Sequence, residues 1–217
     1  MVTNENQSKV VVQRQTMATV VVHWVHVAII ATFIATGLST YLGLSLFAPN
    51  TTTIHIVCAF LIAFVDFPIH FYVMWKSKEL KYLVVVKKED LAEVWEQALN
   101  FVGLTKSYPE HATYIPQEGE YYLGRKYCAF QKLLFYSDVA CVILFGITGF
   151  SMYYITAFPY IANLVGGFVN LLALHLLIFY YFTATLIGHI YLSFIPANWG
   201  RLRGMVLGKG SLEIHKE

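Results

Sequence analysis

The sequence has little charge and no organised cysteine chemistry. Only 13% of its 217 residues are Asp, Glu, Lys or Arg, and the formal net charge is +2. No nucleic-acid surface or acidic-substrate case can be built on that balance. The three cysteines, Cys58, Cys128 and Cys141, are scattered without CxxC, CxxCH or finger-like spacing. This argues against a disulfide framework, a zinc finger, an iron–sulfur cluster or a covalently attached haem within this chain. Residues Met1 to Asn6 are polar and lack an apolar signal region with a small-residue cleavage site, so the first hydrophobic segment is expected to stay in the mature protein. There is no flavin, nicotinamide or molybdopterin motif. No internal repeat or low-complexity tract stands out.

Apolar residues make up 57% of the chain, and the mean hydropathy is +0.57, far from the balance of a soluble domain. Four segments are long enough to span a bilayer: Thr19 to Leu42, Thr53 to Trp75, Leu133 to Tyr154 and Gly166 to Ile195. The fold class expected is all-α, a four-helix integral membrane bundle forming one domain over residues 1–217. Lys and Arg are missing from the 43–52 and 155–165 connections. They occur in the N-terminal arm (Lys9, Arg14), the C-terminal tail (Arg201, Arg203, Lys209, Lys216) and the long 76–132 loop. The positive-inside rule then puts both termini and that loop in the cytoplasm.

Within the loop, Lys87 to Leu104 alternates Leu91, Val94, Trp95, Ala98, Leu99 and Val102 with Glu89, Asp90, Glu93 and Glu96 at helical spacing. This predicts a surface-lying amphipathic helix with Trp95 at headgroup level. Thr105 to Leu123, with Pro109, Pro116 and Gly119, is expected to be irregular.

The histidines carry the chemistry. His175 and His189 lie fourteen positions apart in the last span, on nearly one helical face and roughly 21 Å apart along the axis. Intramembrane imidazoles usually face a bundle interior and mark a cofactor, ion or proton path. Alternating helix direction places His55 and His175 at the outer face. It places His23 or His26 level with His189 at the inner face. Two layers of two imidazoles from different helices suit bis-histidine b-type haem better than zinc, which takes four ligands or keeps an open position. Asp66 and His70, four apart near the inner layer, are candidates for a proton path or a self-satisfied pair. Asp138 is an interfacial charge or part of the same path. Gly146, Gly149, Gly166 and Gly167 permit close approach of a helix or a porphyrin. A haem-free transporter or proton channel is the reading from another class, and a passive anchor is a third.

His23-Trp24, His55 opening the second span, the His175/His189 spacing and "KYCAFQK" (Lys126 to Lys132) resemble the cytochrome b gamma subunit of membrane-bound respiratory formate dehydrogenases. The C-terminal "RLRGMVLGK" (Arg201 to Lys209) is similar to that family's amphipathic tail, and related cytochromes anchor Ni–Fe hydrogenases and thiosulfate reductases. The resemblance implies two haem b groups, the outer bound by His55 and His175 and the inner by His23 and His189, with His26 beside the inner one. It implies a prokaryotic cytoplasmic membrane, and partners comprising an iron–sulfur subunit and a molybdenum or tungsten catalytic subunit, or a Ni–Fe one. It also implies a quinone site around Tyr127, Cys128, Phe130, Gln131 and His189. The family segment usually reads KYNAGQK; here Cys128 and Phe130 replace its Asn and Gly. A thiol is a weak substitute for an amide, and a phenyl ring fills space that Gly leaves open.

Overall fold

The computed structural model describes residues 7–13, 15–105, 114–117, 120–123 and 127–215. Four long helices dominate. The first is α1 (Met17–Tyr41). The second comprises α2 (Thr51–Leu61), a π-helical turn (Ile62–Asp66) and α3 (Phe67–Lys76). The third and fourth are α6 (Ala129–Tyr153) and α8 (Phe168–Phe194). All four are long and apolar enough to cross a membrane, so the expected helical bundle is present. Helix α1 packs on α2, α6 packs on α8, and the π turn touches both α1 and α6.

The π turn has a local cause. Pro68 has no N–H and its ring crowds the carbonyl four residues earlier, so the backbone widens by one residue just ahead of it. The helix continues, but its faces after Asp66 are rotated relative to those before.

Shorter elements decorate one end. They are α4 (Leu80–Val84), α5 (Lys88–Phe101) and α9 (Trp199–Leu207), with α7 (Pro159–Leu164) joining α6 to α8. Strand β1 (Gln7–Gln13) pairs antiparallel with β4 (Lys209–His215), Gln7 opposite His215 and Gln13 opposite Lys209. The two terminal arms therefore sit together at one end of the bundle, as an even number of spans requires. Strands β2 (Tyr114–Gln117) and β3 (Glu120–Leu123) form a second antiparallel ribbon. This corrects the irregular conformation expected there: three tyrosines and an isoleucine among the eight strand residues favour extended backbone, and antiparallel pairing satisfies groups that would otherwise need water.

Helix α5 has the predicted amphipathic character, with a division of labour that periodicity alone did not specify. Leu91, Trp95 and Val102 point outward, while Asp90 and Glu93 are buried. Lys132 Nζ donates to Asp90 Oδ2 at 2.7 Å and to the Val85 carbonyl at 2.8 Å. Ala129 N donates to Glu93 Oε1 at 3.3 Å. The two acids thus clamp α5 to the positive N-terminus of α6. That clamp explains why α6 begins at Ala129 instead of Leu133: Lys132, excluded from the apolar span by its charge, is neutralised inside the fold.

Candidate functional site

Titratable side chains collect in two tiers separated by an apolar layer. The layer is Ile30, Ile62, Cys141, Ile178 and Phe182, one residue or more from each spanning helix, with Phe33 and Phe145 packed against it. Cys141 and Cys58 are buried free thiols, Cys141 within this layer.

One tier, here called outer after the expected topology, holds His55, in the first turns of α2, and His175, in α8, within electrostatic range of each other. His55 Nδ1 donates to the Phe33 carbonyl at 3.2 Å and lies 3.1 Å from Thr36 Oγ1. A carbonyl only accepts, so the proton is on Nδ1 and Nε2 carries a lone pair. Thr36 Oγ1 already donates to the Thr32 carbonyl at 2.8 Å. His175 Nδ1 lies 2.8 Å from Thr148 Oγ1, which donates to the Leu144 carbonyl at 2.7 Å. That hydroxyl accepts from Nδ1–H, and Nε2 of His175 is again the bare nitrogen. The two rings also lie beside glycines. A Cβ on Gly37 would come within 3.1 Å of His55 Cε1, and one on Gly149 within 3.5 Å of His175 Cε1. Phe33 stacks on His55 at 4.2 Å, and Phe145 meets His175 edge-on at 5.2 Å.

The inner tier is organised differently. His23 lies within electrostatic range of His189, His70 and His26. His189 is exposed on the flank of α8, and His23 is half-buried. Neither ring nitrogen has a hydrogen bond among the described residues. His26 Nδ1 pairs with Asp66 Oδ2 at 2.5 Å, Asp66 being almost fully buried. The His26 and His70 rings meet edge to face at 5.3 Å. Ligand atoms of His26, Asp66 and His70 all lie within 4.8 Å of one another, and His70 Nδ1 is buried without a partner among the described residues. The Asp66 and His70 pair read from sequence thus gains His26 as its principal partner, and Asp138 lies within electrostatic range of His26.

These residues fit haem. The outer tier offers two imidazoles with bare Nε2 atoms, and Gly37 and Gly149 let the neighbouring helices lie close against those rings; the two nitrogens form a donor set that would hold a haem iron. The inner tier offers the unencumbered rings of His23 and His189. His26 is tied to Asp66 through Nδ1, which leaves its Nε2 bare, and it lies within electrostatic range of His23.

The candidate carrier residues gather in the turn that opens α6. Tyr127 OH donates to Glu79 Oε2 at 2.8 Å, and Gln131 Oε1 accepts from Cys128 N at 3.0 Å, so Cys128 and Gln131 cap the helix. Phe130 is half-buried beside them. Ser137 Oγ donates to Tyr181 OH at 3.0 Å, and with the Thr148–His175 tie this sets α6 antiparallel to α8. His189 therefore lies level with that opening turn.

Sequence reasoning overlooked Thr36, Gly37, Thr148 and Phe33, and a signal for them existed. The pattern Phe-x-x-Thr-Gly-x-Ser occurs twice, as Phe33 to Ser39 and as Phe145 to Ser151. The expectation of no internal repeat is corrected on this point. The repeat escapes a search for long periods because it is seven residues long, and its partner lies in the other half of the chain.

The pattern that defines the family described as prokaryotic cytochrome b561 matches residues 14–208, nearly the whole chain. No curated protein matches the sequence.

Proposed function

The chain belongs to the prokaryotic cytochrome b561 family, membrane electron-transfer proteins that bind haem b, and from that premise we propose its particular role. It is the two-haem membrane anchor of a formate-dehydrogenase-like respiratory complex. His55 and His175 ligate the outer haem, and His23 and His189 the inner one. The observation that carries this reading is the pairing of imidazoles in two tiers, one toward each end of four spanning helices, with an apolar layer between them.

The haems supply one-electron transfer; the chain's own residues hold, insulate and protonate. The apolar layer keeps water and charge out of the middle of the bundle. An iron–sulfur subunit docked at the outer face delivers electrons from a molybdenum- or tungsten-containing catalytic subunit. A quinone-type carrier receives them at the inner face, beside the turn of Tyr127 to Gln131. Asp66, His26 and His70 lie within one inner cluster and hand protons toward that carrier. Both termini and the 76–132 loop face the cytoplasm of a prokaryotic cell, the side favoured by their Lys and Arg content. An electron crossing inward is worth about 2.3 kcal/mol per 100 mV of membrane potential, so the arrangement conserves energy.

A pyridine haemochrome assay on the purified protein tests the core of this reading: two non-covalent b haems per chain are expected. One haem removes a tier, and none restores the transporter reading. Partner identity is tested in native membranes. Formate reduces the haems if the reading is right, whereas reduction by hydrogen or a sulfur compound assigns the anchor to another enzyme.

A further inference from the structure

The twice-occurring heptad carries more than a packing role. In α1 it brings Phe33, Thr36 and Gly37 against His55 of α2, and in α6 it brings Phe145, Thr148 and Gly149 against His175 of α8. Both threonines and both closing serines, Ser39 and Ser151, are buried. The likeness extends beyond the heptad in the spacing of the histidines that follow it. His55 and His70 are fifteen apart, against fourteen for His175 and His189, and the π turn between the former pair absorbs the extra residue. The α1–α2/α3 pair and the α6–α8 pair are thus two copies of one arrangement, with the outer histidines as equivalent members.

We propose that Thr36 and Thr148 are positioning residues that fix the tautomer of the two outer imidazoles and set the reduction potential of the haem held between them. The inference rests on the assignment of His55 and His175 to the outer haem. Each threonine hydroxyl donates its proton to a carbonyl of its own helix, so only its lone pairs face the imidazole. Nδ1–H donates to that oxygen, Nε2 is left to face iron, and electron density pushed through the ring favours the oxidised metal. The halves are unequal in one respect. His55 Nδ1 has the Phe33 carbonyl as a second acceptor, whereas Thr148 is the acceptor that serves His175 among the described residues.

The test uses the full chain with its haems. Thr148→Val preserves shape and removes the acceptor, and potentiometric titration follows each haem separately. The outer haem moves to higher potential and its low-spin EPR signal shifts, while the inner haem is unchanged. Thr36→Val moves the outer haem in the same direction but less, because the Phe33 carbonyl remains. Thr148→Ser keeps the hydroxyl and restores the original potential. Loss of the outer haem alone from Thr148→Val, rescued by Ser, also supports the role. Equal behaviour of the Val and Ser variants, an unmoved outer potential, or equal disturbance of both haems overturns it. Failure of the underlying reading appears separately, as absence of two haems from the unaltered protein.

Discussion

The outer and inner histidine tiers share four helices and an apolar layer, yet they are built in opposite ways. Each outer imidazole is gripped by a threonine, a glycine and a phenylalanine from a neighbouring helix, with its proton placed before any ligand arrives. The inner pair, His23 and His189, has no such grip, and the polar contacts at that depth belong to His26, Asp66 and His70. The difference teaches that a rigid ligand shell suits a site that only passes electrons. On the function proposed above, a looser, more polar tier suits a site where protons and a diffusing carrier must also be met.

The largest effects should separate the tiers outright. His175→Ala is expected to remove the outer haem and leave the inner spectrum intact, and His189→Ala to do the reverse; reduced-minus-oxidised spectra read both. Loss of both haems from either variant would show that the tiers form one cooperative unit. Next comes the choice within α1. His23→Ala should abolish the inner haem, whereas His26→Ala should keep both spectra, as the proposed ligand set requires; Asp66 holds Nδ1 of His26 and leaves its Nε2 as the atom this pair of variants tests. The opposite outcome would make His26 the ligand and redraw the inner tier.

Asp66→Ala removes a buried carboxylate and leaves the half-buried His26 ring without its partner, and should cost about 1–3 kcal/mol. Thermal denaturation in detergent, monitored by haem release, is expected to show the inner haem departing before the outer. Restoring the family's residues in the opening turn of α6, by Cys128→Asn with Phe130→Gly, should tighten binding of a quinone-analogue inhibitor about tenfold, or about 1.4 kcal/mol. A titration of the inner-haem spectrum measures this. Tight binding by the unaltered protein, with the same spectral shift, would make the departure from the family inconsequential.

The smallest effect tests the outer cradle. Gly37→Ala places a methyl 3.1 Å from His55 Cε1 and should weaken outer-haem retention by about 1 kcal/mol, while Gly149→Ala, at 3.5 Å, should be nearly silent. Equal effects would mean that the cradle follows the ring instead of constraining it.

Much of this could be read along the chain. Hydropathy located four spans to within a few residues, and the one substantial displacement, at the start of α6, followed from a lysine neutralised by Asp90. The fourteen-residue spacing gave the tier separation, because helix pitch converts it directly to depth. The β2–β3 ribbon was misread because proline and glycine suggested irregularity where strand pairing prevailed. Pro68 announced the π turn, but a single proline says only that the ladder is interrupted, and neighbouring packing decides whether the helix kinks or widens.

The sequence by itself determined that the chain is a membrane helical bundle and that its histidines fall into two depths. These properties depend on apolar length and helical phase, which are written in one dimension. The tertiary structure alone decided which nitrogen of each outer histidine is bare, that His26 Nδ1 pairs with Asp66, and that Asp90 and Glu93 of α5 face inward. Those outcomes depend on the rotation and register of one helix against another. A shift of one residue in that register swings a side chain through about 100° and changes every partner it can reach.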